Sequence, residues 1–164
     1  MKPIVGISAC LAGEKVRYDG TDEHEIDLIR DLQENFELVP VCPEVAIGLS
    51  VPREPIHLDT DGRVMDSAWQ NDYSKDLEEV ANNLLQKHKN MCAFVFKSAS
   101  PSCGIGSVKV KNAEFETLSE EGTGAFAKKL VEKNQIIFVE ETSLIRAEDR
   151  QEFISRVLVA TQNK

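Results

Sequence analysis

Short, continuous apolar runs alternate with longer amphipathic stretches along the chain. Residues 3–8 read Pro-Ile-Val-Gly-Ile-Ser, residues 36–41 Phe-Glu-Leu-Val-Pro-Val, residues 91–96 Met-Cys-Ala-Phe-Val-Phe and residues 136–139 Ile-Ile-Phe-Val. Runs of this length with so little polar alternation predict strands buried on both faces. Between them the apolar positions recur every three or four residues, which predicts helices. Thr21 offers a cap for a helix carrying Ile26, Leu28, Ile29 and Leu32. Ser67 with Gln70 reads as a capping box opening a long helix to about Lys89, its buried stripe running Trp69, Tyr73, Leu77, Val80, Ala81, Leu84 and Leu85. Thr123 caps a third, with Phe126, Leu130 and Val131 inward and Asn134 at its end, and residues 147–161 form a last one around Phe153, Ile154, Val157 and Leu158.

Two stretches fit neither pattern. Ile56-His57-Leu58 and Arg63-Val64-Met65 flank Asp61-Gly62, the signature of a small hairpin. Val108 and Val110 alternate with Lys109 and Lys111, predicting a short excursion strand with one wet face. The remaining order, strand alternating with helix, predicts an α/β fold: a Rossmann-like three-layer sandwich with a mostly parallel sheet and right-handed crossovers, a single domain over residues 1–164.

Composition narrows the function. The formal charge of −9, with basic residues scattered among more numerous acids, argues against an extended nucleic-acid surface and leaves a small substrate as the easier partner. No apolar stretch approaches the roughly 20 residues that a membrane span needs. Ile7-Ser8-Ala9-Cys10 mimics a lipoprotein cleavage box, but only nine residues precede the cysteine; secretory signals run to about 15–30 residues. The expected setting is cytoplasmic, where the four cysteines are reduced thiols, metal ligands or catalysts rather than disulfides.

Their placement carries the chemistry. Cys10 follows the first strand, Cys42 the second, and Cys103 lies in the Gly/Ser-rich turn Lys97-Ser98-Ala99-Ser100-Pro101-Ser102-Cys103-Gly104-Ile105-Gly106 after the third. In a parallel sheet, ligands bind beyond the carboxyl ends of the strands, because the strand-to-helix loops gather there. Three thiols on one sheet edge suit a zinc site, which His57 in the hairpin could complete, or an iron–sulfur cluster, in which three cysteines leave one iron of four open. Cys92, inside the third strand, reads as a small hydrophobe. Glu44, two residues past Cys42, is a candidate proton shuttle, and Ser100 a candidate hydrogen-bond donor to a ligand or cluster sulfur. Ser8, Lys97 and Ser102 share the region as candidate substrate-binding groups, Lys97 also as a balance to the negative charge of a thiolate-bound cluster.

Taken together, Ser8-Ala9-Cys10-Leu11-Ala12-Gly13 with Val16-Arg17-Tyr18-Asp19-Gly20, Cys42-Pro43-Glu44 with Gly48-Leu49 and Val51-Pro52-Arg53, and the loop from Lys97 to Gly106 resemble the bacterial family that includes the thiouracil desulfurases. The resemblance spans nearly the whole chain. It implies a [4Fe-4S] cluster on Cys10, Cys42 and Cys103, a thiocarbonyl sulfur bound to the open iron, and water replacing that sulfur at carbon to give the oxo product and sulfide. It matches Glu44 to the family's acid/base and Ser100 to its assisting serine, with a small thiolated nucleobase or nucleoside as substrate. Larger relatives append a second domain that this sequence lacks. Two readings from other classes stand beside it: a zinc-stabilised Rossmann-like binding module without chemistry, and a cluster-based redox or sulfur sensor.

Overall fold

A computed structural model of the chain describes residues 1–132 and 135–164. The apolar runs become four parallel strands, β1 (Ile4–Ser8), β2 (Glu37–Val41), β5 (Met91–Phe96) and β8 (Ile137–Glu140), hydrogen-bonded in the order β2-β1-β5-β8. Helices α1 (Ile26–Asn35) and α5 (Ala147–Gln162) cover one face, and α3 (Ser74–Lys87) and α4 (Ala125–Val131) the other. The most buried strand, β5, shows why this gives three layers. Phe94 and Phe96 pack with Leu77, Ala81 and Phe126, while Ala93 and Val95 pack with Leu28, Leu32 and Val157, so alternate side chains feed two separate cores. Cys92 belongs to the second core, and its thiol donates to Ile4 O at 3.2 Å, at the amino ends of β1 and β5. No helix among the described residues is long and apolar enough to cross a membrane.

The predicted hairpin and excursion strand merge into a second, mixed sheet. Strands β3 (His57–Leu58) and β4 (Val64–Met65) pair antiparallel, β3 pairs parallel with β6 (Val108–Lys111), and β6 pairs antiparallel with β7 (Thr117–Gly122). Strand β7 has no counterpart in the sequence pattern, since Thr-Leu-Ser-Glu-Glu-Gly lies almost wholly exposed and carries no apolar face to reveal it.

Helix starts are the other differences. Helix α3 begins at Ser74, not Ser67: Asp66 accepts the backbone N–H groups of Gln70 and Asn71, ending the β4 turn in a loop, and Trp69 sits in a left-handed conformation at φ 57°. The Trp69 ring therefore leaves the helix stripe and stacks with His57 and Phe115 at ring-centre distances of 5.8 and 5.2 Å. Thr21 spends its hydroxyl on Asp19, and α1 begins at Ile26. Thr123 accepts the Gly106 N–H instead of capping α4, where Gly124 stands at the cap position. Asn134, expected to end α4, lies outside the described residues.

Candidate active site

Strands β2, β1 and β5 are neighbours and parallel, so the segments leaving their carboxyl ends converge. The segment after β1 turns at once into a 3-10 helix, Ala9–Ala12, which carries Cys10. Cys42 occupies the cap position of a one-turn helix, α2 (Pro43–Ala46), with Pro43 at its first position, where a missing N–H costs nothing. Cys103 lies in the loop after β5. All three cysteines are free, and with Glu44, Ser100 and Ser102 they line one cavity of about 770 Å³. Its far wall belongs to the second sheet, through His57, Val108, Lys109 and Lys111. Cys92 is remote from it, at the opposite end of the sheet.

The loop bearing Cys103 is folded by its serines. Ser100 Oγ accepts the backbone N–H groups of Ser102 at 3.3 Å and Cys103 at 3.1 Å, and Ser100 O accepts the Gly104 N–H at 2.8 Å. From below, Ser102 O accepts the Ala127 N–H and Gly104 O accepts the Gly124 N–H, fastening the loop to the start of α4. That approach requires a glycine at 124, because a Cβ there would strike the backbone of Ser102 and Pro101.

The carboxylate of Glu44 is held at both oxygens. Arg53 Nε donates to Oε1 at 3.2 Å and Ser102 Oγ to Oε2 at 3.0 Å. Ser102 has one hydroxyl proton and an ionised carboxylate only accepts, so the 3.1 Å contact between Ser100 and Ser102 takes its proton from Ser100. Of the two acceptors within reach of the Ser102 proton, Glu44 Oε2 at 3.0 Å is nearer than the Cys103 sulfur at 3.7 Å, so a directed chain runs Ser100 to Ser102 to Glu44.

Lys97 and Ser8 are committed elsewhere. Lys97 Nζ donates to Ser98 O, Ser98 Oγ and Glu141 Oε1, using all three of its protons, and Glu141 also accepts the Ser98 N–H at 2.7 Å. Ser8 Oγ accepts the Lys97 N–H at 2.9 Å. These two side chains shape the floor of the cavity. Glu141, paired with a residue 44 positions away, escapes sequence reading altogether, whereas Arg53 stands in the Val51-Pro52-Arg53 motif and only its pairing with Glu44, nine positions back, is new.

Burial pushes the Cys103 thiol up to about 12 and the Cys10 thiol up to about 11, and it raises Cys42 as well. The Ser8 and Ser102 hydroxyls beside Cys103, and Lys97 and Arg17 near Cys10, pull the other way. Such thiols give up their protons to a partner that brings positive charge to the site. Among the described residues, no three His, Cys, Asp or Glu side chains gather as a mononuclear ion requires. A zinc ion needs its donors within about 2.0–2.3 Å of one centre, so zinc, with or without His57, is not supported; His57 Nε2 instead meets Ser67 Oγ at 3.1 Å. Three soft thiols spread around a wide cavity suit a cluster, in which each sulfur takes a different iron.

Comparison with known proteins agrees with this chemistry. The sequence profile of the 2-thiouracil desulfurase family matches residues 5–142. A Bacillus subtilis (strain 168) relative described as uncharacterized protein YbbK is 30% identical over 131 residues, 74% of this chain and 85% of that protein. Among solved structures, the [4Fe-4S]-dependent thiouracil desulfidase TudS superposes with a TM-score of 0.71 at 29% identity, covering 88% of this chain and 93% of that one.

Proposed function

The chain belongs to the 2-thiouracil desulfurase family, and from that premise we propose that it is an iron–sulfur-dependent desulfurase that replaces the thiocarbonyl sulfur of a small thiolated pyrimidine, such as 2-thiouracil, by oxygen. The observation that carries this reading is the convergence of three free cysteines from three separate strand ends on one cavity that also holds Glu44 and Ser100. The reading takes residues 1–164 as one domain, and the four free cysteines suit a reducing, cytoplasmic setting.

Cys10, Cys42 and Cys103 would hold a [4Fe-4S] cluster. When bound, such a cluster supplies an iron without a protein ligand, a soft acid on which a thiocarbonyl sulfur can settle. The chain's own residues do the rest. Overall the C=S carbon gains the oxygen of one water, and sulfur leaves with the two protons of that water as hydrogen sulfide. Glu44, ion-paired with Arg53, is the base that takes a proton from the attacking water. With that proton on Oε2, Glu44 becomes the donor to Ser102. Ser102 then turns its own proton to Ser100 and Ser100 its proton to the departing sulfur, and the proton that Glu44 took from water follows along this chain, so that sulfur leaves protonated and the carboxylate is restored. Ser8 and Lys97 serve as supports of the loop that carries Cys103.

The test is anaerobic reconstitution followed by incubation with 2-thiouracil. About four irons per chain, with sulfide and uracil formed in equal amounts, are the expected result. A cluster-loaded protein that forms neither, but whose cluster changes with redox potential, would point to the sensor instead.

A further inference from the structure

We infer that Arg53 is a positioning residue that aims the Glu44 carboxylate; this rests on the reading of Glu44 as the proton shuttle. Glu44 stands in the first turn of a four-residue helix, and its side chain has three rotatable bonds with which to sweep a wide cavity. Among the described residues its Oε2 meets only the hydroxyl of Ser102, a donor free to rotate about its C–O bond. The lasting constraint is on the other oxygen, through Arg53 Nε at 3.2 Å.

Arg53 is in turn immobilised from three directions. Nη1 donates to Ser50 O at 3.1 Å, Nη2 to Val16 O at 2.8 Å, and the backbone N–H to Tyr18 O at 2.7 Å. Its side chain is only 6% exposed, against 14% for Glu44. The Val16 carbonyl that holds the guanidinium is also the group that the Cys42 thiol approaches at 3.9 Å. One backbone oxygen therefore sets the arginine and faces the cysteine two residues from Glu44, tying the direction of the carboxylate to the frame of the thiols. A planar fork can meet all three acceptors at once; an ammonium on a flexible stem cannot hold the same geometry. Oε1 is thereby pinned while Oε2 faces Ser102, which leaves that one oxygen for proton traffic.

The experiment is a double-mutant cycle on anaerobically reconstituted protein, using E44Q, R53M, R53K and E44Q/R53M. Iron and sulfide per chain, KM for 2-thiouracil and the single-turnover rate of uracil formation are measured for each. Displacing a catalytic group by 1 Å can cost about 10²-fold, so R53M should lose about 10- to 100-fold in rate, with wild-type iron content and KM within about threefold. R53K should recover little of that loss. In the E44Q background R53M should lower the rate by less than about twofold, because there is no carboxylate left to aim. A wild-type rate in R53M, or the same fold-loss in both backgrounds, would overturn the inference and leave Arg53 as a clamp on its loops. A wild-type rate in E44Q would instead overturn the reading of Glu44. If R53M does not fold, E44Q/R53K completes the cycle under the same criterion.

Discussion

Glu44 and Ser102, 58 positions apart in the chain, meet at 3.0 Å, carboxylate Oε2 to hydroxyl. The contact joins the segment after β2 to the loop after β5, and it can form only because β1 lies between those strands and runs parallel to both. It also gives the site a direction, since Ser100 must supply the proton to Ser102 while Ser102 supplies its own to Glu44.

Glu44→Gln keeps the shape of the side chain and removes the group that exchanges the proton. General acid–base catalysis contributes about 10²–10⁴-fold, and turnover should fall by about that factor. Iron and sulfide per chain should stay at the wild-type level, because Glu44 is not needed as a ligand. Undiminished sulfide release from 2-thiouracil would reduce Glu44 to a turn residue.

Alanine at Cys10, Cys42 or Cys103 should each abolish cluster retention, leaving less than about a tenth of wild-type iron, since two thiolates hold a four-iron cluster poorly. Cys92→Ala should keep its iron and lose only packing, about 1 kcal/mol, because Cys92 sits in the core at the far end of β5. Equal loss of iron in the Cys92 variant would end the open-iron scheme.

Gly124→Ala tests the loop from beneath. The new Cβ would lie 2.6 Å from Pro101 O and closer still to the Ser102 backbone, so either α4 or the loop must shift. Overpacking of this kind costs about 1–3 kcal/mol. Both the melting temperature and the iron retained after desalting should fall, since the displaced segment carries Cys103. Wild-type values of both would show that the loop is not braced by α4.

Away from the site, Asp31 of α1 is bound to Arg150 of α5 at 2.7 Å, with the Arg150 side chain 9% and the Asp31 side chain 12% exposed. The hydrogen bond from Arg150, and a second from Arg30, hold the Asp31 carboxyl below its ordinary value. A carboxyl whose folded value is depressed stabilises the fold above its unfolded value, near 3.9, and this contribution is lost as pH falls through the folded value. Asp31→Asn leaves a buried guanidinium without its counter-charge and should cost about 3 kcal/mol at neutral pH. In urea titrations the variant should lose less stability than wild type between about pH 5 and 2. Parallel pH curves for the two proteins would contradict this.

The parallel sheet was legible because its strands are buried on both faces, so that Val5, Ile7 and residues 91–96 are unbroken by charge. Strand boundaries then located Cys10, Cys42 and Cys103 on one edge. The second sheet was only half legible: β7 is polar and exposed along its length, held by pairing with β6 rather than by burial. Trp69 matched the helical period by coincidence, and the turn chemistry of Asp66 prevailed over it. The roles of Arg53 and Glu141 depend on loops that meet only after folding: Arg53 belongs to a recognisable motif without a legible partner, and nothing in the sequence marks Glu141.

The most direct measurement of the central claim is the fate of oxygen and sulfur in a single reaction. Anaerobically reconstituted protein is incubated with 2-thiouracil in ¹⁸O-labelled water, and uracil and sulfide are quantified with the isotope content of the uracil. The account predicts one sulfide per uracil and one ¹⁸O at the carbon that carried sulfur. Uracil without the label, or cluster-loaded protein that leaves 2-thiouracil intact, would contradict it.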